Sequence, residues 1–329
     1  MSDMLPDPPE RQALLSVRDL AVHIRTDAGL ARILDGVSFD LPPGGTLGVV
    51  GESGCGKSTL LRAILGILPK GAMVPSGQVL FQGEDILRKP VRGRIGFIPQ
   101  DPFLSLNPVF RAGDQLLEGM RRHAPGTRDD HRKKLISLFN AVQLPDAHNA
   151  LDKYPHEFSG GQRQRLLIAA ALACDPDLVV ADEPTTALDV TTQREILALL
   201  RGLTAERNMA LLFVTHDFGV LSAVCEDVAV LYAGRVAELG PTGNVLADPR
   251  HPYARMLLAC HPDRATDLIG IPGTVPAATA QPPGCRFHPR CPIARPSCAR
   301  SVPEAVRIFD GSRVACPFHA DALPEVALV

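Results

Sequence analysis

The stretch "GESGCGKST", residues 51 to 59, combines three glycines with a lysine and a run of small hydroxyl residues. Gly51, Gly54 and Gly56 let the backbone curl tightly, so that the amides around Ser53 and Cys55 and the start of the following helix can face a phosphate. Lys57 is placed to reach the β- and γ-phosphates of a nucleoside triphosphate, and Ser58, followed by Thr59, to ligate Mg²⁺. Cys55 serves as a small residue in the loop; were its thiol accessible, alkylation there would block nucleotide. A second cluster of chemistry lies in "LVVADEP" (178 to 184), an apolar run that ends in two carboxylates. Burying such groups is costly unless a cation or a proton-transfer role compensates. Asp182 is therefore assigned to the Mg²⁺ shell and Glu183 to activating the attacking water as general base. "LLFVTHD" (211 to 217) ends another apolar run in His216, which the same sheet edge would bring near the γ-phosphate.

These residues need a parallel sheet to gather them. "TLGVV", "DLVVAD" and "ALLFVT" are short apolar runs separated by helical patterns, as expected for strands buried on both faces. "LLSVRDLAVHI" and "RILDGVSFDL" read as strands before them, and "DVAVLYAGRVAELG" as a hairpin turning at Ala233-Gly234. Between about 100 and 160 the periodicity becomes helical, in "GDQLLEGMRR" and "DDHRKKLISLFNAVQL". Its charged run "RDDHRKK" is expected to be a solvated helix face. After about Gly240 proline becomes frequent and a loop-rich C-terminal segment is expected. The chain shows no internal repeat.

The chain has 329 residues with 45% hydrophobic types, ample for a core and long enough for two domains. A net charge of -2 gives no general attraction to nucleic acid. The N-terminus "MSDMLPDPPERQ" does not read as a secretory signal, and the longest apolar run, "LLIAAALAC", is too short to cross a bilayer. A cytosolic setting is expected, and disulfides are rare there. That bears on Cys285, Cys291, Cys298 and Cys316, spaced C-x5-C-x6-C-x17-C near the end of the chain. Zinc ribbons favour C-x2-4-C pairs, which this spacing lacks, whereas an iron-sulfur cube accepts wider gaps. Arg286, Arg290, Arg295 and Arg300 lie among the ligands and are expected to offset cluster charge. His288 and His319 are candidate zinc ligands, with surface or supporting histidine as the plainer reading. Cys174, Cys225 and Cys260 are expected in the core.

"FSGGQRQR" (158 to 165) adds a serine and two glycines at the start of an apolar helix, a second anion site. With Gln100 in "IPQDP", Asp189 in "TALD" and His216, it makes residues 15 to 240 resemble the nucleotide-binding subunits of ABC transporters. The resemblance implies an α/β fold: a P-loop ABC ATPase domain over 13–240, with a RecA-like parallel sheet core, an antiparallel β subdomain and a helical subdomain at about 101–165. It implies that Ser159, Gly160, Gly161 and Gln162 touch the γ-phosphate held by a partner subunit. Gln100 would sense Mg²⁺ and the attacking water, and Asp189 would lie at the dimer interface. An aromatic residue usually stacks on adenine before the loop; Ile24, or His23, stands at that place here. "QDPFLSLNP" (100 to 108), "HPYAR" (251 to 255) and "PPGCRFHPRCP" (282 to 292) resemble, more narrowly, the ATP-binding subunits of dipeptide and oligopeptide permeases. This implies peptide import, with nickel, glutathione and sugar importers as related alternatives. It also implies a second ABC ATPase subunit, identical or a paralogue, two transmembrane permease subunits receiving contact through the helical subdomain, and an extracytoplasmic binding protein. The chain would sit at the cytoplasmic face of the membrane as a peripheral subunit, with no nucleic acid partner. In that family the segment 241–329 carries a [4Fe-4S] cluster, which assigns the four cysteines to it, with zinc as the alternative; a structural staple and a redox sensor both remain open. Soluble ABC ATPases of repair or translation, and an iron-sulfur redox regulator, are the competing classes. The former usually have paired cassettes, a coiled coil or basic extensions, and the latter has no need of Glu183 and His216.

Overall fold

The computed structural model describes residues 13–91, 93–186, 188–260, 270–321 and 323. The chain opens with two long antiparallel strands, β1 (Leu15–Thr26) and β2 (Gly29–Leu41), followed by the buried β3 (Thr46–Val50) and helix α1 (Lys57–Ile64). Strands β4 (Ala72–Phe81) and β5 (Glu84–Asp85) return to the first pair and complete a four-stranded sheet in the order β2-β1-β4-β5. β6 (Ile95–Ile98) leads into the helical subdomain, made of α2 (Ala112–His123), α3 (Arg128–Ala141), α4 (Ala147–Ala150) and α5 (Gly160–Leu172). The chain then alternates through β7 (Leu178–Asp182), α6 (Val190–Glu206), β8 (Ala210–Val214), α7 (Phe218–Val224), β9 (Asp227–Tyr232) and β10 (Arg235–Pro241).

Strands β9, β3, β8, β7 and β6 run parallel, and the apolar residues of β3, β7, β8 and β9 are buried on both faces, while edge strand β6 leaves Phe97 exposed. This is why the four inner strands read as continuous apolar runs rather than alternating ones. One core fills the space between this sheet and the antiparallel sheet, with Leu60, Leu61 and Ile64 of α1 inside it. A second core lies on the other face, under α2, α3, α5, α6 and α7. The helical subdomain follows from its caps and stripes. Thr127 and Asp130 form a reciprocal capping box at the start of α3, and Leu135, Leu138 and Phe139 supply its buried stripe. His131 is also buried, while the rest of the charged run up to Lys133 is exposed. Arg165 of α5 ties the subdomain together, donating to the Val142 carbonyl and to the Glu195 carboxylate of α6.

The hairpin at Ala233-Gly234 forms as the sequence indicates, with both residues at positive φ and Tyr232 paired to Arg235. The strands between 72 and 98 were not foreseen: Pro75 and Gly77 interrupt any alternation, and β5 and β6 are only two and four residues long. Beyond β10 come α8 (Thr242–Ala247) and α9 (Pro252–Ala259), then the loop-rich tail with β11 (Val306–Arg307) and β12 (Arg313–Val314). The tail joins the main sheet, because β12 pairs with β10 at Glu238 and Leu239. The full order is β11-β12-β10-β9-β3-β8-β7-β6, so the expected boundary at 240 falls inside a strand that serves both parts.

Candidate active site

The C-terminal ends of β3, β6, β7 and β8 meet at one edge, the place where open parallel sheets put ligand-binding loops. From β3 the chain enters the glycine loop. Gly51 has no room for a side chain, since a Cβ there would stand 2.1 Å from the Leu231 carbonyl oxygen. Gly56 caps α1 at a φ of 110°, a left-handed conformation that glycine adopts without steric cost. Ser53, Gly54 and Ser58 are exposed on the loop and Thr59 is half-buried behind them. The Lys57 side chain is buried, and its ammonium donates to the carbonyls of Gly51 at 2.7 Å and Glu52 at 3.2 Å.

Glu183 follows β7 with a φ of 43°, held by its own amide donating to the Val214 carbonyl of β8. Three groups converge on its Oε2: the Gln100 amide nitrogen at 3.2 Å, His216 Nδ1 at 3.2 Å and the Thr186 hydroxyl at 3.1 Å. Gln100, Glu183 and His216 are thereby brought together as expected. Thr186 was missed, although its spacing three residues after the glutamate was visible. Burial and the neighbouring Glu183 charge push the Asp182 carboxyl above its usual range, while Lys57 and Arg62 pull the other way. Such a site favours a bound cation or proton. Ser58, Asp182 and Gln100 stand at this edge and present the hydroxyl, carboxylate and amide oxygens that suit Mg²⁺.

The start of α5, expected from the sequence to be a second anion site, is a capped helix N-terminus. Ser159 caps α5 in a capping box with Gln162, the Gln162 amide donating to Ser159 Oγ at 3.4 Å and the Ser159 amide to Gln162 Oε1 at 3.1 Å. The amides of Gly160 and Gly161 have no partner among the described residues. Asp189 caps α6, accepting from the amides of Thr191 at 3.1 Å and Thr192 at 3.0 Å. His23 and Ile24 are half-buried in β1, where Ile24 pairs with Ala31 and Ala72.

The Cys55 thiol is buried and burial raises its pKa, in keeping with a small residue packed inside the loop. Two other expectations are corrected. Of the three cysteines expected in the core only Cys225 is buried; Cys174 and Cys260 are half-exposed. The arginines do not chiefly offset the tail thiols. Arg286 bonds Asp35, Arg290 bonds Glu52 of the glycine loop, and Arg295 bonds Asp321 while stacking on Phe318. Arg300 donates to the Pro296 carbonyl.

In the tail, Cys285, Cys291, Cys298 and Cys316 line one cavity, walled also by Phe287 and His251. Burial pushes the Cys285 and Cys316 thiols up, and that of Cys291 up to about 12. His288 and His319 each bond through Nδ1 to a cysteine carbonyl, those of Cys285 and Cys316. Among the described residues no three His, Cys, Asp or Glu side chains form a group that could hold a metal ion. The "HPYAR" motif also finds its place: His251 Nδ1 accepts from the Tyr253 amide at 3.0 Å, and the Tyr253 hydroxyl accepts from the Glu52 amide at 2.9 Å.

A glycine loop at a β3–α1 turn, a lysine inside it and a paired acid at the end of β7 in the same sheet define a P-loop nucleoside-triphosphatase. Residues 34–186 match the ABC transporter family and residues 237–298 the oligopeptide/dipeptide transporter C-terminal region. The chain is 42% identical over 316 residues to the dipeptide transport ATP-binding protein DppD of Bacillus subtilis strain 168, covering 93% of this chain and 94% of that one. It is 40% identical over 319 residues to DppD of Escherichia coli K12, covering 94% and 98%. Its fold is similar to the dimeric structure of the bacterial ABC transporter cassette MJ0796, with a TM-score of 0.61 and 27% identity over 69% of this chain and 98% of that one. The same cassette in a post-hydrolysis state with ADP and Pi gives 0.60 and 28%, again over 69% and 98%. The chain belongs to the ABC transporter ATPases, in the branch that carries the oligopeptide/dipeptide transporter C-terminal region.

Proposed function

We propose that this chain hydrolyses ATP to drive import of dipeptides or oligopeptides through a membrane complex. The observation that carries the catalytic reading is the convergence of Gln100, Thr186 and His216 on one oxygen of Glu183. Those three groups fix the carboxylate, and Glu183 then takes the proton of the water that attacks the γ-phosphate. Lys57 and the loop amides hold the β- and γ-phosphates. Ser58, Asp182 and Gln100 would hold Mg²⁺, which neutralises charge developing on the phosphoryl oxygens. Ile24 occupies the place beside the base. Near-full-length similarity to peptide import ATP-binding proteins supports the substrate class.

The open amides of Gly160 and Gly161 support a composite site in which Ser159, Gly160, Gly161 and Gln162 of one subunit complete the γ-phosphate pocket of the other, with Asp189 between them. That partner is a second ABC subunit, identical or paralogous. Phe103, Leu104, Val109 and Phe110 are exposed just after Gln100, a surface suited to a permease subunit. Two permease subunits and an extracytoplasmic binding protein complete the assembly. The chain works at the cytoplasmic face as a peripheral subunit; no helix among the described residues is long and apolar enough to cross a membrane. Its working division is a nucleotide-binding part, 13–240, and a cysteine part, 241–329.

In the same reading the tail holds a [4Fe-4S] cluster, with zinc as the alternative, supported by the cavity that the four cysteines share. Zinc needs four donors about 2 Å from one point, whereas a cluster is held by thiolates spread around a larger body. The four cysteines line one cavity, which supports a ligand shared by all of them. Bound there, the cluster supplies iron for the four thiolates and cross-links a segment rich in loops. Iron and acid-labile sulfide assays on the anaerobically purified complex test this, and one zinc with no sulfide would overturn it.

The test of the ATPase reading is Glu183→Gln in the assembled complex. ATP binding and a closed dimer should persist while turnover falls by about 10²–10⁴, the range for a lost general base. Turnover at the wild-type rate would remove Glu183 from that role.

A further inference from the structure

Glu52 puts a negative charge inside the loop that receives a polyanion. Its carboxylate is only partly screened by solvent, with 25% side-chain exposure. Left alone it would repel the phosphates a few atoms away. The cation that answers it comes from the far end of the sequence. Arg290, 4% exposed, grips Glu52 with both ends of its fork, Nη1 to Oε2 at 2.8 Å and Nη2 to Oε1 at 3.0 Å.

The fork itself is held rigidly. Arg290 Nε donates to the Pro272 carbonyl at 2.9 Å, Nη2 to the Ile271 carbonyl at 3.0 Å and Nη1 to the Tyr232 hydroxyl at 3.3 Å. Tyr232 packs against Tyr253 at 4.5 Å between ring centroids and against Phe287 at 5.1 Å, and Phe287 is a wall of the cysteine cavity. Tyr253 in turn accepts the Glu52 amide. Glu52 is thus held at its carboxylate by Arg290 and at its amide by Tyr253, while its carbonyl accepts from Lys57. Two of those three contacts come from residues beyond 240.

We propose that Arg290 is a charge-compensating and positioning residue of the phosphate loop, and that the cysteine segment, by carrying it, forms a wall of the ATP site. This rests on the reading of the loop as the ATP site. Every contact that Arg290 makes is to the protein, and it acts by cancelling the Glu52 charge and by fixing where the loop lies. The proposal separates an electrostatic role from a mere staple, because only the first can be rescued by removing the opposing charge.

The experiment uses the assembled complex and measures ATP dissociation constant, ATP KM and kcat, together with iron content. Arg290→Met should raise the ATP KM roughly tenfold or more, the scale for a part-buried charge left unpaired, with a smaller change in kcat. The defect should shrink as salt is raised. Glu52→Gln, which leaves the tail untouched, should bind ATP at least as well as wild type, and Glu52→Gln with Arg290→Met should recover most of the lost affinity. Arg290→Lys should fall between wild type and Arg290→Met. A Glu52→Gln defect as large as that of Arg290→Met, or a double variant no better than Arg290→Met alone, would overturn the proposal. Equal ATP KM in wild type and Arg290→Met would do the same. Failure of the wild-type complex to bind ATP at all would instead overturn the ATP-site reading beneath it.

Discussion

The chain contains two helix starts shaped for anions, and they are built in opposite ways. At α1 the cap is Gly56 with no side-chain bond, Lys57 is buried in the loop, and Asp182 and Glu183 wait at the end of β7, two strands away from β3 in the sheet. At α5 the cap is a serine in a closed capping box, and the glycine amides behind it are open. Arg163, in the first turn of α5, is already engaged: it lies over the Phe103 ring at 4.4 Å and donates to the Phe158 carbonyl. The first start therefore has a buried ammonium, loop amides and two carboxylates at the same sheet edge within one chain. The second offers neutral donors alone.

Substitutions can break that contrast, starting from the largest effect. Lys57→Ala should weaken ATP binding by roughly a hundredfold or more, as for loss of one aimed donor, in the single chain and in the complex alike. Equilibrium titration with ATP measures both, and a loss confined to the complex would make the two helix starts equivalent. Ser159→Ala should leave ATP binding by the single chain unchanged while cutting turnover of the complex at least about tenfold. It should also cost about 1 kcal/mol of stability from the lost cap, read by denaturant unfolding. Weaker ATP binding by the isolated subunit would show that α5 serves its own loop.

The smallest effect belongs to Asp189. The Thr192 and Thr191 amides hold its carboxyl below the usual 3.8. Its contribution to stability is therefore full above that value and is lost as pH falls through the lower, folded value. Asp189→Asn should slightly lower Tm near neutrality and flatten the acid limb below about pH 4. An unchanged acid limb would mean that the cap seen in this structure does not persist in solution.

The nucleotide machinery was legible because its parts are local: a loop of nine residues, an acid pair at a strand end, a serine three residues before a glutamine. The parallel strands were legible because burial on both faces leaves an unbroken apolar run. What escaped was everything set by distant pairing. The two-residue β5, β11 and β12 carry no periodicity, and exist because a neighbouring strand offers hydrogen bonds. The arginines among the cysteines were visible, yet their partners Asp35 and Glu52 lie more than two hundred residues away in sequence. Nothing in "HPYAR" announces that its histidine bonds the start of its own helix while its tyrosine holds the glycine loop.

The pairing of Glu52 with Arg290 spans 238 residues and therefore sets an order of events during synthesis. At about 5–20 residues per second, a ribosome makes the glycine loop roughly ten to fifty seconds before it makes the arginine that fixes it. The open edge of β10 has a shorter wait for β12, whose residues pair with it from 74 and 76 positions further on. A nascent chain that already holds the whole loop is thus a nucleotide site without its last wall, and a message cut short near its end would yield the P-loop without the clasp that finishes it.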